Sequence, residues 1–433
     1  MAREVERGYG GSPDRSHDVQ PTPRLTTLLR VTLLAACAIS LLSFGVRGAF
    51  GLFTAPLSGD VGVSREVYAI AIAIQNLAWG LIQPFAGFVT DRFGPRRVMV
   101  AGAIAYAAGI VGLVFATTPM QIYLTAGVLA GVGMGGASFT TAVAALGRLM
   151  PESHRSWAMG LGTAAGSLGQ FVIVPITQSI IDAAGWRGGA WFMAGAVSLV
   201  VLAAAFVRRD GGAFSVPLGG PAPAGGAAQA GHLQILGTAF GHPSYVLLVL
   251  GFFVCGFQLA FITTHFPAFL VDRGAGAAIA SWAIAMVGLF NVVGAYLAGV
   301  WGGRYSKKWL LSGVYTARGA LILLFISLPL STASILAFGA GMGLLWLSTV
   351  PLTSGLVATF FGTRYMATLF GFVFLSHQVG SFLGVYAGGY FFERTGGYTV
   401  VWWICIALSL FAALVNLPIR ESQSQRFTRL AGA

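Results

Sequence analysis

Charge is what this sequence has least of. Only 9% of its 433 residues are Asp, Glu, Lys or Arg, against about 25% in a soluble domain. That excludes a water-soluble fold. Acid is scarcer than base, 13 residues against 25, for a net charge of +12. The excess base does not build a nucleic-acid surface, because the basic residues fall singly between apolar runs and do not share one face. Cysteine is nearly absent. Cys37, Cys255 and Cys405 each sit inside an apolar run, at no spacing that suits a metal or a redox pair. They are expected as small core residues, with no metal site. No nucleophile, base and acid constellation is present and no P-loop, so neither an enzyme nor a cofactor is expected. The run Gly131-Val132-Gly133-Met134-Gly135-Gly136 imitates a nucleotide loop in composition alone. No strand precedes it and it lies within an apolar run, which points to helix–helix contact. A signal peptide is also missing: residues 1–28 open on a polar, mixed-charge stretch with Gly and Pro and read as a disordered cytoplasmic tail.

What is abundant is apolar sequence, 56% of the chain. A membrane-spanning helix needs about 20 apolar residues, and the runs fall at 29–57, 66–90, 98–116, 120–147, 156–182, 188–207, 243–271, 278–302, 309–329, 332–360, 366–392 and 398–417. The predicted fold is an all-α membrane protein of twelve transmembrane helices, called spans 1 to 12 below. Arg208-Arg209-Asp210 closes span 6, and Gly211–Gly231 is rich in Gly, Ala and Pro. Such a stretch behaves as a flexible linker. The expected organisation is a six-helix bundle over 29–207, a cytoplasmic linker over 208–242, a second bundle over 243–417 and a cytoplasmic tail over 418–433. The halves echo each other: Gly87-x3-Asp91-Arg92 recurs as Gly299-x3-Gly303-Arg304, and Gly185-Trp186 as Gly397-Tyr398, both 212 residues apart. Two echoes at one offset indicate a duplicated unit.

One set of loops carries Arg92, Arg96, Arg97, Arg148, Arg155, Arg208, Arg209, Arg304, Lys307, Lys308 and Arg364. The alternate set carries Arg65, Arg187, Arg273 and Arg394. The positive-inside rule therefore puts both termini in the cytoplasm, and the expected location is the cytoplasmic (inner) membrane.

Every Asp and Glu maps to a tail, a loop or a helix end, yet Arg47 in span 1 and Arg318 in span 9 map to membrane depth. A buried Arg costs about 2.5–3.5 kcal/mol on the lenient insertion scale and is paired or faces a cavity. It keeps its proton. With no carboxylate at that depth, the expected partner is an anionic substrate held by the guanidinium fork. The alternatives are a brace on helix carbonyls or, for Arg47, snorkelling. Gly45, Gly48 and Gly51 flank Arg47 at three-residue spacing, which thins one face and loosens the helix, allowing close packing or local unwinding. The other polar candidates within spans are Asn76, Gln258, His265, Asn291, His377 and Gln378, with Gln75 and Gln83 beside them. Each serves either the site or helix packing. His265 and His377 are the candidate proton carriers, since only they change charge near neutral pH.

The loop Gly87-Phe88-Val89-Thr90-Asp91-Arg92-Phe93-Gly94-Pro95-Arg96-Arg97 reads G-x-x-x-D-R-x-G-x-R-R between spans 2 and 3. It resembles the loop signature of the major facilitator superfamily of transporters. That resemblance implies alternating access between two pseudo-symmetric halves, with Asp91, Arg92, Arg96, Arg97 and the echoed Arg304 gating the cytoplasmic side. Phe50-Gly51-Leu52-Phe53-x-x-Pro56-Leu57, Gly166-Ser167-x-Gly169-Gln170, Pro175 and Gly185-Trp186-Arg187 are similar to the monocarboxylate and oxalate/formate branch. Span 8 departs from that branch: Ile284–Asn291 lacks its paired Asp and Arg. The resemblance implies a secondary active transporter for a small, monocarboxylate-like organic anion, with a proton as candidate coupling ion and a monomeric state. The alternatives are a facilitator-type exporter of an amphiphilic drug or siderophore, in which Phe266 and Trp346 would line the cavity, and a transporter-like sensor.

Overall fold

A lipid interior offers the backbone no hydrogen-bond partner, so each apolar run closes its own bonds as a helix. The structure, a computed structural model, describes residues 26–207, 232–362 and 366–424, apart from a few side chains that include Asp91 and Arg92. The N-terminal tail up to residue 25 and the linker over 208–231 lie outside the described residues. Eleven described stretches are long and apolar enough to cross a membrane. One of them, Trp157–Ala205, has 49 residues, roughly 73 Å at 1.5 Å per residue and more than twice the hydrocarbon thickness. It turns at Gly185, whose φ of 72° is open to glycine and costly for other residues. It is therefore spans 5 and 6, and the count is twelve.

The remaining spans follow the predicted runs within a few residues. Span 2 is Arg65–Phe93, span 3 Pro95–Val114, span 7 Pro243–Asp272, span 8 Ala277–Gly302, span 9 Lys307–Ser327, span 11 Met366–Thr395 and span 12 Thr399–Asn416. Ser64 caps span 2 by accepting from the Val67 N–H, and Pro95 starts span 3 where its missing N–H costs nothing. Three spans are broken. Span 1 runs Thr27–Ala49, tightens into a 3-10 turn at Phe50–Phe53 and resumes at Thr54–Val61, beside the glycines expected to loosen it. Span 4 starts at Pro119, contains a π-helical stretch over Tyr123–Leu129 and breaks at Ser138. Span 10 is Thr332–Leu345 and Thr349–Phe361.

The break in span 10 accounts for the protein partners of Arg318. Its Nε and Nη2 donate to Leu345 O at 3.2 and 2.5 Å, and Nη2 also donates to Trp346 O at 2.6 Å. A helix end leaves carbonyls without partners, and here a fully buried guanidinium collects two of them. In span 4 the Ser138 hydroxyl, which accepts from Thr141 N–H, caps the restarted helix.

The duplication is visible in the packing. Span 1 lies on span 5 as span 7 lies on span 11; span 2 lies on span 4 as span 8 lies on span 10; span 3 packs on span 6 as span 9 packs on span 12. The halves meet where span 2 crosses span 11 and span 8 crosses span 5. The turn before span 12 takes its positive φ at Gly396, one residue ahead of the position that echoes Gly185.

Among the described residues, the hydrogen bonds and ion pairs between halves lie at mid-depth or on the face opposite the termini. On that face Arg65 of span 2 grips Asp272 of span 7 with both terminal nitrogens, Nη2–Oδ1 at 2.7 Å, and its N–H donates to Glu393 of span 11 at 2.8 Å. Arg65 also lies over the Phe392 ring at 4.2 Å, and Arg394 pairs with Glu66 at 3.4 Å. Of the two other basic residues of that face, Arg187 pairs with Asp60 within the first half and Arg273 lies over the Phe269 ring at 5.3 Å. Gly51 abuts the Thr263 carbonyl, where a methyl group would not fit, and Thr54 Oγ1 donates to Thr264 O at 3.1 Å. Toward the terminal face, Phe85 and Phe93 of span 2, Trp157 of span 5 and Tyr296 of span 8 are exposed. Among the described residues, the polar fastening between the halves is thus concentrated at that face and at mid-depth.

The Arg65–Asp272 grip is bidentate and partly buried, a geometry in which charged hydrogen bonds contribute about 1.5–3 kcal/mol. Asp272→Asn is expected to shift the protein toward a state open at that face. Spin labels at Ala184 and Ala278, on either side of the seam in a background without native cysteine, should show a longer distance in Asp272→Asn than in the parent. An unchanged distribution would remove the clasp from gating.

Candidate functional site

Arg47 sits beside Asn76, 11 residues into span 2, or roughly 16 Å from its start and about half the hydrocarbon thickness. Its Nη2 donates to Asn76 Oδ1 at 3.2 Å. The Asn76 amide is held in turn, donating to Ile72 O at 2.8 Å. The guanidinium lies 5.0 Å from the Trp79 ring and 5.9 Å from Phe44. Among the described residues no carboxylate touches it. Cation–π contacts contribute about 0.5–2 kcal/mol each, whereas withdrawing an ion from water costs several. One neutral amide and two rings leave Arg47 short of a counter-ion. It lines a narrow pocket with Phe44, Trp79, Tyr106, Met134 and Phe139, all from spans 1 to 4.

The pocket reaches the seam through aromatic contacts. Trp79 meets Phe374 of span 11 edge-on at 5.5 Å, and Phe374 stacks on His377 at 5.8 Å. The His377 Nδ1 lies 3.0 Å from Gln378 Oε1, and Gln378 Nε2 donates to Asn76 O at 3.1 Å. Arg47, Asn76, His377 and Gln378 are therefore one cluster astride the two halves.

The other candidates lie elsewhere. Gln258 donates to Cys405 O at 2.9 Å and Ser409 Oγ at 2.6 Å, fastening span 7 to span 12. Asn291 donates to Ser167 Oγ at 2.9 Å across the seam and accepts from Leu347 N–H, at the break in span 10, at 2.9 Å. His265 is fully buried near the Arg65 face. Its Nε2 is 2.8 Å from Val385 O, which fixes the proton on that nitrogen, and its ring is 5.2 Å from Tyr398, whose hydroxyl accepts from Arg65. Arg318 braces span 10. Phe266 is packed against Phe325 and Phe338 with no exposed surface, and Trp346 is buried. Of the expected terminal-face gate, Arg96 is half-buried and Arg97 and Arg304 are exposed, while the side chains of Asp91 and Arg92 lie outside the described residues. No group of three or more His, Cys, Asp or Glu among the described residues is arranged for a metal ion.

Trp79, Phe374 and Tyr106 were missed by sequence reasoning. Trp79 carried a signal: it falls three residues after Asn76 and four before Gln83, on their helical face. Phe374 likewise precedes His377 and Gln378 by about one turn. Tyr106, in the middle of span 3, carried none.

The sequence profile described as Major Facilitator Superfamily matches residues 35–385 and 248–432. The chain is 27% identical over 398 residues to an uncharacterized MFS-type transporter, YcxA of Bacillus subtilis (strain 168), covering 90% of this chain and 95% of that protein. It is 27% identical over 405 residues to monocarboxylate transporter 13 of Rattus norvegicus, covering 90% and 88%. Among solved structures it superposes with a TM-score of 0.71, at 16% identity and over 92% of this chain and 99% of the other, on a bacterial homologue of the human lysosomal transporter Spinster in an inward-facing, unoccupied conformation. The last likeness concerns the fold alone. The profile spans both halves, and its members and these relatives are transporters, not enzymes: the chain belongs to the Major Facilitator Superfamily.

Proposed function

We propose that this transporter carries a small organic anion, bound at Arg47, by alternating access. One observation carries the reading: a permanently charged guanidinium at mid-depth with, among the described residues, one neutral hydrogen-bond partner and no carboxylate. The likeness to a monocarboxylate transporter supports it from outside the site. The terminal face is assigned to the cytoplasm from its excess of basic residues. A proton is the proposed coupling ion and His377 its proposed carrier, because His377 belongs to the Arg47 cluster and His265 does not.

Ligand-induced thermal stabilisation of purified variants, with a panel of mono- and dicarboxylates, tests the site. Arg47→Ala is expected to lose the stabilisation, since each charged hydrogen bond contributes about 1.5–3 kcal/mol. Arg47→Lys should be poor as well, because a point charge does not reproduce the fork. Arg318→Ala should unfold at lower temperature with or without ligand while what remains folded binds normally. Uptake into proteoliposomes with and without a pH gradient extends the test to coupling: His377→Gln should abolish the stimulation by the gradient. A full wild-type shift in Arg47→Ala, or a transporter that answers to neutral amphiphiles and to no anion, overturns the reading.

The orientation has its own check. Tyr305, exposed on the terminal face, and Ala184, exposed on the other, are replaced singly by cysteine in a background lacking Cys37, Cys255 and Cys405. An impermeant maleimide added to intact cells should label Ala184→Cys and spare Tyr305→Cys. The reverse pattern inverts the topology.

A further inference from the structure

Few hydrogen-bond donors line the Arg47 pocket, and most are spent. Ser43 Oγ donates to Ile39 O at 2.7 Å. Ser138 Oγ pairs with the hydroxyls of Thr140 and Thr141, at 2.6 and 3.2 Å. Trp79 Nε1 donates to Gln83 Oε1 at 2.9 Å. Two groups remain. One is the guanidinium of Arg47, with a single protein hydrogen bond. The other is Tyr106, which has no exposed surface and whose hydroxyl has no partner among the described residues.

An unsatisfied buried hydroxyl costs about 1–3 kcal/mol, and most buried polar groups avoid it. Packing alone does not call for it, because a phenylalanine would fill the same space. The ring is fixed by stacking on Phe50 at 6.3 Å and by Gly133 of span 4, whose bare Cα lies against the Tyr106 backbone. The Tyr106 ring and the Arg47 side chain line the same pocket. Both residues that hold these donors thus line one narrow pocket, whose walls include the apolar Phe44, Met134 and Phe139 and whose serine hydroxyls are already spent.

We infer that Tyr106 is a second donor to the substrate: an oxyanion head group, carboxylate or sulfonate, accepts from the Arg47 fork and from the Tyr106 hydroxyl together. The inference rests on the reading of Arg47 as the anion site and deepens it. It also defines the cargo. The apolar walls supply no partner for a second charge, so the substrate is a monoanion whose remainder is apolar or neutral. Tyr106 and Arg47 come from spans 3 and 1, so the head group ties two helices of the first half.

The conservative variant is Tyr106→Phe. Propionate and ethanesulfonate, matched in size and differing in head group, are titrated against wild type, Tyr106→Phe and Arg47→Ala in nanodiscs, with succinate as the dianion. The free Tyr106→Phe protein should unfold at the wild-type temperature or higher, since it loses only an unpaired hydroxyl. Its affinity for the preferred monoanion should fall roughly tenfold to a hundredfold, the range expected for a hydrogen bond to a charged group. Succinate should bind the wild type more weakly than the preferred monoanion. Wild-type affinity in Tyr106→Phe, with binding lost in Arg47→Ala, overturns the role of Tyr106 and leaves the anion site standing. Wild-type affinity in both variants, or no binding of any of the three anions to the wild type, overturns both.

Discussion

A guanidinium does not shed its proton at any pH a cell reaches, and the bilayer interior offers it neither water nor counter-ion. That constraint governs both intramembrane arginines, and the chain resolves it in two ways. Arg318 finds carbonyls: the broken end of span 10 presents Leu345 O and Trp346 O to its Nε and Nη2, while its Nη1 has no partner among the described residues. Arg47 finds one amide oxygen and two rings. The first arrangement is a structural brace. The second is an incomplete coordination sphere in a pocket, and the proposed transport function follows from the difference between them.

Around that pocket the two halves are joined unevenly. Arg65, Asp272, Glu393, Arg394 and Glu66 fasten one face, and Gln378, Trp79 and Phe374 join the halves at the level of Arg47. The ions of the clasp lie near the end of their helices and keep some exposure, so water can compete for them and release the pair. The mid-depth contacts are mostly neutral. Alternating access requires an equilibrium that a modest binding energy can tip, and such a seam is consistent with one. His265 lies just beneath the clasp through Tyr398, apart from the Arg47 cluster.

The fold was legible because a bilayer leaves the backbone few options. Twelve apolar runs, a Gly- and Pro-rich interruption and a 212-residue echo were sufficient to predict twelve spans, and the packing repeats accordingly. Helix breaks were less legible. The glycines around Arg47 allowed either close packing or a loosened turn, and span 1 shows both, but nothing in Leu345–Thr349 distinguished that stretch from a continuous helix. The site was half legible. Charge at membrane depth singled out Arg47 and Arg318 alike, since which carbonyls or amides an arginine reaches depends on tertiary packing. Gln258, Asn291 and His265 are polar for helix-to-helix and helix-to-break bonding, which a polar residue in an apolar run announces no differently from a ligand contact. Trp79 stood on the face of Asn76 and was hidden only by its apolar character. Tyr106 is marked out by tertiary packing alone, which leaves its hydroxyl without a partner among the described residues.

The central claim is that Arg47 requires a negative charge in its pocket, beyond a molecule of fitting shape. The most direct test compares equilibrium binding of the tightest-binding carboxylate with that of its own primary amide, which keeps the size and loses the charge. The carboxylate should bind wild type with an affinity at least tenfold above that of the amide, and Arg47→Ala should erase the difference. Equal binding of acid and amide to the wild type would contradict the claim.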